Sequence, residues 1–306
     1  MRRTTHIDMR RSEEPAEGMV LTGTARDLVT RADATTVVAG TARISANVGI
    51  DRRLVALSTD PVEAGSAMLI GHLVGSGFRR ALATSLPSHA NRGTLLHLLL
   101  DDLPVAVLVS GRSLLQTALA DGVAEPRPPL PRPDICAGWR TGGSAMLALS
   151  GGTATRAIGP AAAAVQVPGD ALSWHRMEPL MTGEMRRCRR IDVTSGDVLH
   201  IDAAFRDTYV DAGGVERVLH EYSVIVDAVP STLEIRFIEA MPHTLPYSEC
   251  VDAAVTATVA RGAQLPLLRN RVEQSLFGPA SCTHLNDLLR SLADAGELAT
   301  LLASTR

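Results

Sequence analysis

Four side chains that could bind a metal ion lie in the last third of the sequence: His220, Cys250, Cys282 and His284. His220 lies in an alternating pattern of apolar and polar residues, so we expect it to point from one face of a β-strand. Cys250 and Cys282 follow turn-forming residues and precede predicted helices, with Ser248 as the predicted N-cap before Cys250. Exposed amides and the helix dipole favour a thiolate at such positions, and a thiolate binds soft metals or attacks electrophiles.

These residue types together predict a metal centre. The predicted ligands of a Zn²⁺ or iron ion are His220, Cys250 and Cys282. His284 and Glu249 are candidates for a fourth ligand, unless water takes that position. His284, Glu221 and Glu249 are also the candidate acid–base groups of a catalytic centre. Two other interpretations stay open: His220 as a hydrogen-bonded core residue, and the cysteines as small buried apolar side chains.

Arginine is the cation available for binding an anionic substrate. The chain has 306 residues, and all 30 of its basic residues are arginine, with no lysine. The missing lysine excludes Schiff-base chemistry, a lysine general base and a Walker-type phosphate lysine. Arg186, Arg187 and Arg206 are the candidate substrate-binding residues, because a guanidinium grips a carboxylate or phosphate with two hydrogen bonds. An exposed ion-pairing segment and a solvated sheet face are the alternatives.

The overall composition narrows the class of protein. A net charge of -3 and 3% aromatic residues argue against nucleic-acid binding. The longest apolar stretch, residues 95–109, is interrupted by charged residues and a proline, so we expect no membrane span. The first residues lack the apolar centre of a secretory signal, and the four cysteines form no compact disulfide pattern. We therefore expect a cytoplasmic protein whose partner is a small-molecule substrate.

A segment near the N-terminus returns later in the chain. The sequence Met1-Arg-Arg-Thr-Thr-His-Ile-Asp-Met9 is similar to Met185-Arg-Arg-Cys-Arg-Arg-Ile-Asp-Val193, and Arg26-Asp27 returns as Arg206-Asp207. The preserved order predicts a tandem duplication, with coincidence as the alternative. The expected first-copy counterparts of His220, Cys282 and His284 are Ile44, Gly93 and Leu95. Loss of the polar set predicts one active and one structural copy.

Each copy has strand-like segments followed by helix-like segments. This order predicts an α+β fold in which each copy is an antiparallel three-stranded meander followed by helices on one face. The predicted strands are 19–29, 35–48 and 53–58, then 198–210, 215–227 and 232–241. The predicted helices are 63–76, 78–86 and 93–103, then 248–261, 265–277, 283–293 and 295–303. The predicted domains are a degenerate first copy at 1–120, a Pro/Gly/Ala-rich connector at 121–184, and a second copy at 185–306.

Three motifs carry a resemblance to a known family. They are His220-Glu-Tyr222, Leu245-Pro-Tyr-Ser-Glu-Cys250 and Cys282-Thr-His-Leu285. With them, residues 175–295 resemble a bacterial family known as domain of unknown function 2889, which implies no activity. A weaker resemblance, at the level of fold, is to iron–sulfur-cluster scaffold proteins. Here His220 replaces the first cysteine, Tyr222 replaces an aspartate, and the scaffold's lysine is absent, which disfavours sulfur transfer but leaves metal binding.

The sequence therefore predicts a metal-binding, small-molecule enzyme with lyase-like or hydrolase-like chemistry in the second copy. A non-enzymatic metal or iron–sulfur carrier is the first alternative. A structural protein with buried thiols is the second.

Overall fold

The fold is built around one eight-stranded antiparallel sheet. In this computed structural model the described residues are 1–12, 18–120, 132–150 and 159–304, with the backbone alone for 111–120 and 149. The strands are β1 (Arg2–Arg11), β2 (Met19–Thr30), β3 (Thr36–Val48), β4 (Leu54–Asp60), β5 (Met185–Ser195), β6 (Leu199–Val210), β7 (Glu216–Ala228) and β8 (Ile235–Thr244). Their order across the sheet is β4-β3-β2-β1-β5-β6-β7-β8.

The two halves of the sheet are joined through β1 and β5. These strands pair antiparallel, with Arg2 opposite Asp192 and Met9 opposite Met185. Each half is thus a four-stranded meander, so the predicted three-stranded meander is wrong by one strand. The two missed strands are the segments whose sequences resemble one another. They lack the alternation of a half-buried strand because both of their faces are covered. The tandem duplication and the predicted domain limits stay predictions.

Seven α-helices accompany the sheet in the described residues. They are α1 (Phe78–Ser85), α2 (Pro87–Arg92), α3 (Leu95–Ala120), α4 (Ser144–Ser150), α5 (Leu268–Ser275), α6 (Thr283–Ser291) and α7 (Ala295–Ser304). The 3₁₀-helices are Ala64–Leu69, Ala137–Trp139, Ser248–Ala260, Leu265–Leu267, Gly278–Ala280 and Leu292–Asp294. The helix predicted to end at residue 103 continues to Ala120, because Pro104 lies inside α3 and does not end it. Among the described residues, no helix combines the length and the apolar character needed to cross a membrane.

The helices cover one face of the sheet and enclose two apolar cores. Helix α3 packs on β1, β2 and β3, while α6 packs on β6 and β7. Leu21, Phe78 and Leu99 are fully buried in the first core. Phe205 and Leu288 are buried in the second. Burying each such side chain stabilises the fold by about 1.5–3 kcal/mol.

Part of the predicted connector lies on the opposite face of the sheet. The Arg26 guanidinium donates to the Leu172 carbonyl at 2.6 Å, and the Arg186 guanidinium donates to the Glu178 carbonyl at 2.6 Å. Trp174 is buried there. We name residues 159–184 the strap, because they run across β1, β2, β5, β6 and β7. Within the predicted connector 121–184, residues 121–131 and 151–158 lie outside the described residues.

Candidate metal centre

Asp207, His220 and His284 form a compact polar group between the sheet and α6. The His220 Nδ1 atom lies 3.4 Å from Asp207 Oδ2. The imidazole rings of His220 and His284 stack with their centroids 3.7 Å apart and their planes 18° apart. One potential ligand atom from each residue lies within 4.8 Å of the others, a spacing that no other trio of His, Cys, Asp or Glu reaches in the described residues.

The β6–β7 hairpin and the start of α6 bring these three residues together. Asp207 on β6 lies directly opposite His220 on β7, next to a β-bulge. The hairpin turn is fixed by Asp211, whose Oδ1 accepts hydrogen bonds from the amides of Gly213 and Val215, both at 2.9 Å. His284 is the second residue of α6, which packs across β6 and β7.

The two histidines carry buried nitrogens that lack protein partners. Among the described residues, neither His220 Nδ1 nor His284 Nε2 has a hydrogen-bond partner, and both atoms are shielded from solvent. The contact between His220 Nδ1 and Asp207 Oδ2 at 3.4 Å does not have the geometry of a hydrogen bond. A buried polar atom left unpaired costs about 1–3 kcal/mol. Burial, helped by His220, lowers the pKa of His284 well below its usual value, so the imidazole of His284 is neutral at pH 7.

The Asp207 carboxylate is kept ionised in this buried position. Burial by itself would raise its pKa, but the Arg187 guanidinium outweighs burial, and His220 adds to the effect, so the pKa falls to about 2. Arg187 Nη1 donates to Asp207 Oδ1 at 2.7 Å and to Oδ2 at 3.0 Å. The group therefore combines an anionic oxygen with two imidazoles, which is a donor set suited to a divalent cation.

A buried ion-pair network extends from the Asp207 carboxylate through Arg187. Arg187 also pairs with Asp287 of α6 and lies 4.6 Å from the centroid of the Phe205 ring. Arg189 donates to Asp287 Oδ2 and to Asp102 Oδ1 of α3, both at 2.6 Å. These contacts connect the centre to helices from both halves of the chain.

The predicted ligands Cys250 and Cys282 lie outside the Asp207–His220–His284 group and belong to a neighbouring group of thiols. The third member is Cys136, from the predicted connector. The Ala137 amide donates to the Ser281 carbonyl at 2.7 Å, which brings Cys136 beside Cys282. Tyr222 Oη donates to the Cys250 carbonyl at 3.0 Å.

The expected stabilisation of thiolates at helix starts is outweighed by burial. Burial raises the pKa of the Cys250 thiol to about 12 and also raises the pKa of Cys282, so both thiols are protonated at pH 7. The predicted N-cap is also displaced, since Tyr247 is the N-cap residue and Ser248 begins the 3₁₀-helix. Cys282 is itself the N-cap of α6. The helix dipole acts on these thiols, but desolvation of the charged form is the larger effect.

Two predicted substrate-binding arginines and one predicted acid–base residue lie on the strap side of the sheet. Glu221 follows His220 in β7 and so points to the opposite face. Its Oε1 accepts a hydrogen bond from Arg206 Nη2 at 2.6 Å. Arg186 points to this same face, where its Nε donates to Asp8 Oδ1 at 2.6 Å. Of the three predicted arginines, Arg187 is the one beside the metal-ligand candidates.

Glu249 binds the start of a helix. Its Oε1 accepts a hydrogen bond from the Ser144 amide at 2.6 Å, and its Oε2 accepts one from Ser144 Oγ at 2.8 Å. The Ser144 amide is the main cause that lowers the pKa of Glu249 to about 2. Glu249 therefore caps α4, whereas His284 is the predicted acid–base residue that lies in the candidate centre.

Sequence reasoning missed Asp207 and Cys136 as members of these groups. For Asp207 a signal exists, because the Asp211-Ala-Gly-Gly214 turn sets the hairpin register that places Asp207 opposite His220. Cys136 has no such signal, since its position depends on where the connector folds back.

Comparison with known proteins gives a family but no activity. Residues 185–296 match the family model described as "Protein of unknown function (DUF2889)". No curated protein and no solved structure matches the chain. The matched residues include Asp207, His220, Cys250, Cys282 and His284, but not Cys136. The match of this part of the chain to the DUF2889 family model confirms the resemblance predicted from its Cys-Thr-His-Leu motif.

Proposed function

We propose that the protein binds a divalent metal ion through Asp207, His220 and His284 and acts there on a small molecule. One observation carries the proposal: two buried imidazole nitrogens without partners lie beside a buried, ionised carboxylate. Two histidines and one carboxylate form a donor set used by Zn²⁺ and by non-haem Fe²⁺ in sites that keep a position for substrate or water. A bound cation would satisfy the unpaired nitrogens.

The charges around the centre favour an anionic ligand on that ion. Four arginines and four aspartates form the surrounding ion-pair network: Arg79, Arg187, Arg189 and Arg290 with Asp101, Asp102, Asp207 and Asp287. Because these charges balance, a divalent cation adds two positive charges to a buried region. Hydroxide or a substrate carboxylate or phosphate would compensate them.

The chain's own residues supply the positioning for such chemistry. Arg187 holds the Asp207 carboxylate with two hydrogen bonds and keeps it ionised. His284 stays neutral, so its ring nitrogen is available as a ligand or as a proton acceptor. When bound, the ion would polarise an oxygen of the substrate and acidify a coordinated water, as lyase-like or hydrolytic chemistry requires.

Metal analysis of the whole chain, purified without chelators, tests this proposal. We expect close to one zinc or iron per chain in the wild type, and loss of the metal in His220→Ala and His284→Ala. His200→Ala is the matched control, because His200 is an exposed histidine on β6 that pairs with Asp227 at 2.8 Å. A wild-type metal content below about 0.2 per chain, unchanged after incubation with Zn²⁺ or Fe²⁺, would reject the proposal.

A non-enzymatic metal carrier is the second candidate, and the group of three cysteines favours it. An enzyme keeps its metal through many turnovers, whereas a carrier transfers it to an acceptor. Rapid and complete transfer of bound metal to a competing apo-protein would favour the carrier. Retention of metal under the same conditions favours the enzyme.

A further inference from the structure

The β2–β3 hairpin in the first half of the sheet has the same geometry as the β6–β7 hairpin in the second half. In the turn of β2–β3 the Arg31 amide donates to the Thr35 carbonyl at 2.8 Å, and in the turn of β6–β7 the Asp211 amide donates to the Val215 carbonyl at 3.0 Å. In both hairpins three paired positions follow the turn before a β-bulge. Residues 36–38 of β3 therefore take the positions that residues 216–218 take in β7.

The strap covers the outer edge of β7 at these positions. The Ala162 amide donates to the Glu216 carbonyl at 2.8 Å, and the Val218 amide donates to the Pro160 carbonyl at 3.0 Å. Between these two hydrogen bonds, Ala161 forms a β-bridge with the strand. Three extended residues therefore close this edge, and Val218 is left only 3% exposed.

The equivalent edge of β3 is open in the described residues. Strand β4 pairs with β3 only from Arg43 onward, and no other described segment pairs with residues 36–38 on that side. Successive residues of a strand direct their backbone groups to opposite sides. Because Thr35 bonds towards β2, Thr36 and Val38 direct their N–H and C=O groups to the open edge. Val38 is 50% exposed, although Val218 at the equivalent position is buried.

The open edge lacks the features that commonly prevent one sheet edge from pairing with another. Residues 34–42 include no charged residue and no proline, and Val37 is 40% exposed. By contrast, β8 at the other end of the sheet contains Arg236, Glu239 and Pro242. Charges and prolines blunt an edge strand, whereas an uncharged edge is a template for another extended strand. The bulge at Ala39 limits the regular stretch to residues 36–38, which is the length that the strap covers on β7.

We propose that a second copy of this chain closes this edge, so that the two β3 strands pair antiparallel about a two-fold axis between the two Val37 residues. The edge is self-complementary about Val37. The Val38 N–H of one copy donates to the Thr36 C=O of the other, and the two-fold axis repeats the bond. These are the same two kinds of hydrogen bond that the strap makes with β7. Two identical uncharged edges also bring no like charges together.

Such a dimer leaves the candidate metal centre uncovered. Strands β2, β1 and β5 separate β3 from β6, which carries Asp207. The inference therefore does not depend on the function proposed above. The contact covers few residues, so we expect association that is weak and depends on protein concentration.

Sedimentation velocity of the whole chain tests the pairing. At protein concentrations from about 5 to about 500 µM, we expect monomer at the lower end and a growing fraction of dimer towards the upper end. A wild type that stays monomeric over the whole range would overturn the proposal. So would assembly that continues beyond the dimer, because a two-fold contact closes after two copies.

Charged substitutions at Val37 test the position of the axis. Val37→Lys and Val37→Glu each place two like charges directly opposite one another, so each variant alone should associate about fivefold or more weakly than the wild type. An equal mixture of the two should recover the association, because a lysine then faces a glutamate across the axis. Val55→Lys and Val55→Glu are the matched controls, since Val55 is 58% exposed on β4, and both should associate as the wild type does.

Two further results would contradict the proposal. A dimer that Val37→Lys does not weaken would show that the copies meet at another surface. A mixture of Val37→Lys and Val37→Glu that associates no better than either variant alone would show that the two Val37 residues do not face each other.

Discussion

Arg187 and Asp207 face each other across β5 and β6 and form a fully buried ion pair at 2.7 Å. The first half of the sheet contains the same relationship, since Arg3 faces Asp27 across β1 and β2 and pairs with it at 2.8 Å. In both halves a β-bulge follows the aspartate. In both halves of the sheet, therefore, a cross-strand ion pair with an aspartate holds an arginine between the sheet and the helices.

The halves differ in what lies opposite the aspartate. Asp207 is opposite His220, whereas Asp27 is opposite Gly40. By strand register, Gly40 takes in the first half the position that His220 takes in the second, four residues from the counterpart Ile44 expected from the sequence. The first half keeps the ion pair without the imidazole, which agrees with a structural role for it and a candidate site in the second half.

Removing Arg187 should strongly destabilise the fold. Arg187→Met leaves the Asp207 and Asp287 carboxylates buried without their cation, so we expect the free energy of unfolding to fall by about 3–5 kcal/mol. Arg190→Met is the control, because Arg190 is half-buried on the other face and pairs with Asp192 and Asp202. Its loss should cost about 1 kcal/mol or less. Urea unfolding measures both, and equal effects would contradict the role given to Arg187.

Divalent metal should stabilise the protein against heat through the histidine centre. A ligand present at 100 times its Kd and bound only by the folded state adds about 2.7 kcal/mol of stability. We therefore expect Zn²⁺ to raise the Tm of the wild type and a chelator to reverse the rise. Cys136→Ala isolates the histidine centre from the thiol group, and in that background His284→Ala should abolish the shift while His200→Ala retains it. A shift that survives His284→Ala would argue against the centre.

Acid should destabilise the fold through histidines that are buried in the neutral form. Burial, helped by Arg186, lowers the pKa of His6 to about 3, and burial, helped by His6, lowers that of His175 to about 3. In the unfolded chain both bind protons near pH 6.5, so their contribution to stability is complete above that pH. It is lost as the pH falls towards 3, by up to about 1.4 kcal/mol per pH unit for each histidine.

The contact between His6 and His175 indicates which variants test the effect of acid on stability. His6 Nδ1 and His175 Nε2 lie 2.6 Å apart with one proton between them, and His175 Nδ1 lies 2.8 Å from Thr4 Oγ1. A second proton on the pair would break the contact that holds the strap. His175→Gln should flatten the dependence of urea stability on pH between 6.5 and 4.5, while His200→Gln should not. An unchanged slope in His175→Gln would be evidence against this assignment.

Gly138 should be required for packing around the thiols. Gly138→Ala places a methyl group 2.7 Å from Cys250 Sγ, so the turn must shift, and we expect a loss of about 1–3 kcal/mol. Gly75→Ala is the control, because its new methyl group would have its nearest neighbour at 3.8 Å. Thermal unfolding compares the two, and a Gly138→Ala protein as stable as the control would show that the turn does not press on Cys250.

Several elements of the fold could be predicted because their patterns are local. Strands β6 and β7 alternate clearly and are separated by a Gly-Gly turn, so their limits agree with the prediction within about two residues. Strands β1 and β5 were missed because arginine and threonine fill the positions where a half-buried strand has apolar residues. Their burial comes from long-range partners, such as Asp294 for Arg3 and Asp102 for Arg189, which no local window contains.

In the candidate site, too, the sequence predicted the local features but not those that depend on long-range contacts. His220 and His284 were singled out by residue type and position, and the structure brings their rings into contact. Their partner Asp207 depends on strand register, and Cys136 depends on the path of the connector. Glu221 was predicted to share the site with His220 because the two are neighbours in sequence. Consecutive residues of a strand point to opposite faces, so Glu221 lies on the other side of the sheet.

The pairing of β1 with β5 also constrains how the protein is made. Strand β1 leaves the ribosome long before β5, its partner on that side, which ends only at residue 195. During most of translation β1 therefore presents an open edge rich in hydrogen-bonding groups, at the centre of the future sheet. The first half of the sheet can pair with the second only after β5 has been synthesised. A ribosome that stops before residue 185 therefore releases a chain in which the edge of β1 stays exposed.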